Sequence, residues 1–260
     1  MIIPGLAQFD PIALIAQFML MFVRVGAMMM ATPIFRSTGI PTRVRLVMAV
    51  ILAAAAMPTL PDDYQTPTMG SAMLPVILWE FGLGVAMGFM IQLVFAALAV
   101  AGEAVAMGMG LGFANMVDPQ NGSSVPTMSQ QFALLATILF VTINGHLLML
   151  QMLYDSFALI PPGSRPFDAA QRSVLLEWGA VMYANALFLA LPVLITMLLT
   201  NLAFGVITRA APQLNVFAIG FPLMLIFGFV VVMINTEHLI TGTQDLFEQA
   251  FLGVRRLISG

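Results

Sequence analysis

Apolar residues run through this chain in long blocks, and short clusters of Pro, Gly, Asp and Arg cut the blocks apart. Six blocks stand out, at about 11–34, 44–60, 75–101, 128–154, 178–207 and 213–236. A helix needs about 20 apolar residues to cross a bilayer. The cuts fall at Arg36–Arg43, Pro58–Tyr64, Asp118–Pro126, Pro161–Pro166 and Arg209–Pro212. Residue types of this kind end helices and make turns. The pattern predicts an all-α membrane protein of about six long hydrophobic helices arranged in hairpins. Some of them are expected to be kinked. Pro192 and Pro222 fall inside apolar blocks, where a proline removes a helix donor.

Composition narrows the class. Of 260 residues, 60% are hydrophobic and 8% charged, whereas soluble domains average about 45–50% apolar and about 25% charged. Mean hydropathy is +1.00. Too little polar surface is left to cover a water-soluble core, which excludes an ordinary cytosolic enzyme, a disordered tail and a secreted disulfide scaffold. No soluble domain fits between the blocks, and there is no internal repeat or low-complexity tract.

Charge and chemistry then remove further classes. The nine basic residues are all Arg and the net charge is −3. They form no cluster of the kind nucleic-acid binders carry, so no nucleic-acid partner is expected. With no Cys, disulfides, thiol catalysis and Cys-ligated metals are excluded. His146 and His238 are the only histidines, and neither stands in an H-E-x-x-H helix. There is no nucleophile elbow and no Walker loop. Gly108-x-Gly-x-Gly112 lacks dinucleotide-binding spacing. No cofactor, metal or catalytic residue is expected. The first basic residue is Arg24, so the cationic start of a cleavable signal is missing, and the apolar stretch from Pro11 is expected to be retained.

Topology does not follow from loop charge. Six spans put both termini on one side, with Arg165, Arg172, Arg255 and Arg256 there and Arg36, Arg43, Arg45 and Arg209 opposite. Orientation normally follows an Arg/Lys excess, and here the two sides tie. Arg24 itself lies mid-span, where a charge costs about 2.5–3.5 kcal/mol on insertion scales. It must face protein or water, and an ion pair or carbonyl contacts holding a bundle together are favoured over a conduction role. Glu80, Glu103, Glu177 and Glu237 lie near span edges, where pairing or snorkelling is the default.

The segment Gly102–Pro119 is apolar, yet Gly occupies 108, 110 and 112. An interior Gly costs a helix about 1 kcal/mol relative to Ala. The segment is therefore expected to be a loop or broken helix, and irregular backbone at membrane depth is tolerated only when buried in protein or lining a cavity. Gly84–Gly88 and Gly108–Gly112 have small-xxx-small spacing, which lets helix backbones approach closely. Met is abundant, with 22 residues, and its flexible thioether adapts to irregular or changing surfaces.

Four stretches carry a resemblance. They are Arg24-Val-Gly-Ala with Thr32-Pro-Ile-Phe35 and Ile40-Pro-Thr-Arg-Val44; Gly102-Glu-Ala through Gly112-Phe-Ala-Asn-Met-Val-Asp-Pro119; Asn144-Gly-His-Leu147; and Ala210-Ala-Pro-Gln-Leu-Asn-Val-Phe-Ala-Ile-Gly-Phe-Pro222. Nearly end to end, the chain resembles the FliR family, export-gate components of the flagellar type III secretion system. The resemblance implies a non-enzymatic subunit that joins FliP and FliQ in a helical hetero-oligomer, associates with FlhB and FlhA, and passes unfolded flagellar proteins across the bacterial inner membrane. It implies a FliP-like part at 1–165 fused to a FliQ-like hairpin part at 166–260, with the junction near Gly163–Gln171. It also implies a flagellar basal-body location with membrane lipid around an assembly raised towards the periplasm, which would account for the tied Arg count.

In FliR-like proteins the glycine-rich region supplies a plug loop inside the pore, here near 106–122. Carried onto this chain, the plug and gating residues are Met107, Gly108, Met109, Gly110, Phe113, Met116 and Asp118. Hydrophobic constrictions gate by dewetting, and Met and Gly suit a seal that must yield to varied cargo. The alternative to plugging is that these residues pack against neighbouring subunits. At the level of the whole protein, a small-solute secondary transporter is the competing reading. It draws on broken helices and Arg24 but lacks paired interruptions in the two halves. A membrane enzyme is disfavoured by the thin acid–base inventory.

Overall fold

The structure is a computed structural model that describes residues 11–36, 39–61, 64, 73–111, 127–164, 169–210 and 220–259. Among these residues it has nine α-helices and no strand. In chain order they are α1 (Pro11–Ala31), α2 (Pro33–Arg36), α3 (Thr42–Ala56), α4 (Met73–Gly108), α5 (Thr127–Thr142), α6 (Gly145–Leu159), α7 (Ala169–Ala210), α8 (Phe221–Ile234) and α9 (Thr236–Ser259). A single 3-10 turn, Met57–Thr59, follows α3. Four helices are long and apolar enough to cross a membrane, and up to six spans result if α5 with α6, and α8 with α9, each count as one bent span.

The bends depart from the sequence reading. The block at 128–154 is two helices, α5 and α6, with a break between them. Asn144 sits between them with φ 55, a left-handed conformation that short polar side chains tolerate best among non-glycine residues. The break rests on one residue inside an apolar block, so hydropathy passes over it. Pro222 does not fall in a helix interior. It stands at the first positions of α8, where its missing N–H is one of the unpaired donors anyway. Pro192 does lie within α7, which continues through it.

The chain after the last apolar block, which ends near 236, is the 24-residue helix α9. Its buried positions Leu239, Leu246, Phe247, Ala250, Val254 and Leu257 recur at helical spacing, while Glu237, Asp245, Glu248, Arg255 and Arg256 occupy other positions. A two-faced helix has modest mean hydropathy, so a search for apolar blocks misses it. Arg255 and Arg256 are therefore helix-end residues.

The helices form two compact units. Unit 1 comprises 1–92, 145–178 and 250–260; unit 2 comprises 93–144 and 179–249. The units interleave along the sequence because α4, α7 and α9 each contribute to both. This division is by compactness and does not bear on the division at 165/166 implied by resemblance.

In unit 1, α1 buries Ala16, Leu20, Arg24, Ala27 and Met28, a stripe of three- and four-residue steps. Against it lies α4 at Gly84 and Gly88. A Cβ at Gly84 would overlap the Arg24 carbonyl oxygen, and one at Gly88 would stand 2.7 Å from Ala31 Cβ and 2.7 Å from Met28 O. The Gly84–Gly88 spacing thus marks a close backbone crossing. Thr32 Oγ1 donates to Met28 O at 2.8 Å, closing the end of α1.

In unit 2, Phe95, Phe140 and Phe247 form an aromatic core, with ring centroids 5.8, 5.5 and 5.2 Å apart. These are edge-to-face and tilted distances, worth about 0.5–1.5 kcal/mol per pair beyond burial. Gly102 brings α4 against the start of α5, where a Cβ would be 2.8 Å from Met128 O. Ser129 Oγ donates to Ala99 O at 2.9 Å and to Glu103 Oε2 at 3.2 Å.

Candidate functional site

In unit 1 a polar knot surrounds Arg24. Its position in the buried stripe of α1 directs the side chain into the helix bundle, and the residue is 0% exposed. Nε donates to Glu80 Oε2 at 2.7 Å. Nη1 donates to Ser156 O at 2.9 Å and Ser156 Oγ at 3.1 Å, and Nη2 donates to Ile160 O at 2.8 Å. The guanidinium also lies 4.6 Å from the Phe157 ring centroid, a favourable cation–π placement. Ser156 Oγ in turn donates to Leu153 O at 2.7 Å.

The other side of the knot is a turn that the local sequence dictates. Pro161-Pro-Gly-Ser164 closes with Ser164 N donating to Pro161 O at 3.1 Å. Gly163 has φ 86. Proline second and a left-handed glycine third are the demands of a type II turn. The turn aims its backbone at the knot. Gly163 N donates to Glu80 Oε1 at 3.1 Å, and Pro162 O accepts from Tyr64 Oη at 3.0 Å. Both Glu80 oxygens are thereby engaged. Burial, and then the Glu80 charge, push the Tyr64 hydroxyl up to about 12 from 10.0, with Arg24 pulling the other way.

Arg24 was legible as a buried charge, but its partner was not. Glu80 carried only the default of pairing or snorkelling. The available signal was that Arg24 and Glu80 both lie inside apolar blocks, where each needs a counter-charge. Tyr64, Ser156 and Gly163 were not singled out, because their contribution is made through a hydroxyl or the backbone.

Unit 2 holds the root of the glycine-rich segment. Of the loop or broken helix expected over Gly102–Pro119, the first part is helix, α4 continuing to Gly108. It then ends in a Schellman motif. Gly110 N donates to Met107 O at 3.0 Å, Leu111 N donates to Ala106 O at 3.0 Å, and Gly110 has φ 80. Glycines 102 and 108 are packing positions in a helix, Gly110 serves the helix end, and Gly112 lies outside the described residues. A Cβ on Gly108 would stand 3.3 Å from Leu194 Cδ2.

The expected gating residues therefore differ in setting. Met107 is 61% exposed and Met109 is 0% exposed. Met109 is seated against Gly228 of α8, its Cε 2.6 Å from where a Cβ there would stand. Met109 anchors the helix end. Phe113, Met116 and Asp118 lie outside the described residues. Among the described residues, no group of three or more His, Asp or Glu is arranged to hold a metal.

Comparison with known proteins gives this geometry a family. The family profile "Bacterial export proteins, family 1" matches residues 15–250. Similar proteins include Flagellar biosynthetic protein FliR of Escherichia coli (strain K12), 37% identical over 91% of this chain and 90% of the relative. The protein of the same name from Pectobacterium carotovorum subsp. carotovorum is 33% identical over 94% and 93%, and that from Bacillus subtilis (strain 168) is 26% identical over 95% and 96%. The chain belongs to the FliR family of bacterial export proteins. Membership makes it a membrane component of an export apparatus. All of the Arg24 knot, the α4 crossing and the Schellman end lie inside the matched region.

Proposed function

We propose that the chain is a subunit of the flagellar type III protein export gate, joining FliP and FliQ in the channel that passes unfolded flagellar proteins across the inner membrane, with FlhB and FlhA as further partners. The observation that carries this reading is the exposed apolar face of α4. Leu74, Leu78, Phe81, Phe89, Val100 and Met107 are between 42% and 63% exposed. At 1.5 Å per residue they extend over about 50 Å of helix. The hydrocarbon core is about 30 Å thick and helix tilts reach about 40°. A 50 Å apolar face would need a tilt of about 53° to fit. An apolar face longer than the bilayer supports coverage of part of it by other protein chains, as in a subunit of a helical assembly.

Within that reading, α4 delivers the glycine-rich segment to the channel, and Arg24 with Glu80 is scaffold. The segment beyond Gly110, with Phe113, Met116 and Asp118, serves as the plug, and Met109 fixes its root. Co-purification tests the proposal. The chain is expected to come out with FliP- and FliQ-like proteins, and to aggregate or be degraded when expressed without them. A monodisperse, well-ordered monomer in detergent overturns the reading.

A further inference from the structure

The face of α6 turned away from Arg24 opens, together with the end of α9, on a cavity of about 640 Å³. Asp155 and Leu159 line it from α6, and Leu252, Arg255, Arg256 and Ser259 from α9. The site is held in place from beneath. Val254, Leu257 and Ile258 are buried, and Gln171 Nε2 donates to Leu257 O at 2.8 Å. Two guanidiniums thus stand on the outer side of a fixed helix end. Among the described residues, Arg24 and Glu80 form a salt bridge in which neither of these guanidiniums takes part.

We propose that this cavity binds the headgroup of an anionic phospholipid, with Arg255 and Arg256 on its phosphodiester and Asp155 and Ser259 on its hydroxyls. Three observations select that occupant. Guanidinium forks match phosphate oxygens in two-point geometry. Two arginines and one aspartate leave a net charge of +1, which balances one phosphodiester and not a phosphate dianion. The walls include Leu159, 56% exposed, and Leu252, 47% exposed, which an acyl chain covers and a free oxyanion does not. Basic pockets between membrane helices bind lipid headgroups on these same grounds.

The test uses the full chain in the assembly with which it purifies, exchanged into micelles holding equal phosphatidylglycerol and phosphatidylcholine, with retained lipid measured by mass spectrometry. Native protein is expected to retain phosphatidylglycerol in preference. Arg255→Gln/Arg256→Gln is expected to lower that preference by about tenfold, the scale of losing charge-assisted hydrogen bonds. Arg255→Lys/Arg256→Lys, which keeps the charge and loses the fork, is expected to fall between. Millimolar inorganic phosphate is expected to leave retention unchanged, and displacement by it would show a free-oxyanion site and overturn the lipid assignment. Equal retention of both lipids, or unchanged preference in a Gln/Gln variant that still assembles, would overturn it as well.

Discussion

Gly84 stands directly against the main-chain carbonyl of Arg24, one helical turn along α4 from Glu80, which pairs with the Arg24 side chain. The ion pair and the glycine belong to one arrangement. The backbones of α1 and α4 must come close for a short charged contact to form between them, and a side chain at 84 would hold them apart.

Gly84→Ala is therefore expected to destabilise the assembled protein by about 1–3 kcal/mol, the usual cost of overpacking. Gly82→Ala is the control. Its Cβ would meet nothing within 4 Å, and Ala in a helix interior gains about 0.5–1 kcal/mol over Gly. Thermal melting of the two purified variants should move in opposite directions. A shift of equal sign and size would show that the crossing tolerates a methyl group.

Removing one partner of the buried pair leaves the other charge uncompensated. Arg24→Ala and Glu80→Ala are each expected to cost about 3–5 kcal/mol and to lower the yield of assembled complex. Arg24→Lys is expected to rescue only in part, since an ammonium cannot reach Glu80, Ser156 and Ile160 from one planar group. In a double-mutant cycle, the Arg24→Ala/Glu80→Ala protein should lose less than the two single losses added together. Normal complex yield with lost secretion in Arg24→Ala would assign Arg24 to conduction instead of scaffold.

Gly110 bears φ 80, where a side chain costs about 1–2 kcal/mol and a β-branched one is an outlier. Gly110→Val is expected to disturb the end of α4 and slow secretion without an ion leak. Deleting residues 113–116 is expected to do the reverse, leaving assembly intact while ion conductance across vesicles rises. Phe113→Asp should leak more mildly by wetting the constriction. A shortened loop that assembles and stays tight to ions would make the segment packing and not plug.

Tyr64 supplies a pH signature for the turn. Its pKa is raised above the unfolded value of 10.0 to about 12, so folding favours the protonated phenol. That contribution is fully present below pH 10 and is lost as pH rises through 12. An ultraviolet titration should show a tyrosine ionising near pH 12, and Tyr64→Phe should abolish that step. The variant also removes the hydrogen bond to Pro162 O, a net loss of about 0.5–1.5 kcal/mol. A titration curve that Tyr64→Phe leaves unchanged near pH 12 would contradict the buried setting of Tyr64.

Much of this was written in the linear sequence because it depends on local physics. Long apolar blocks determined an all-helical membrane protein. Proline and glycine clusters marked most of the breaks, and the Pro161–Ser164 turn follows from its own residue types. Family motifs such as Gly102-Glu-Ala and Pro212-Gln-Leu-Asn-Val-Phe carried the resemblance. Arg24 announced itself because a charge inside an apolar block is costly anywhere. Tertiary structure decided what lies across helices. It chose Glu80, 56 positions along the chain, as the partner of Arg24, and it gave Gly102 and Gly108 to helix packing but Gly110 to a helix end. It also made α9 a helix through one buried face that mean hydropathy averages away. These outcomes depend on which surfaces meet, and side-chain periodicity along one strand of chain holds no record of the distance to a second helix.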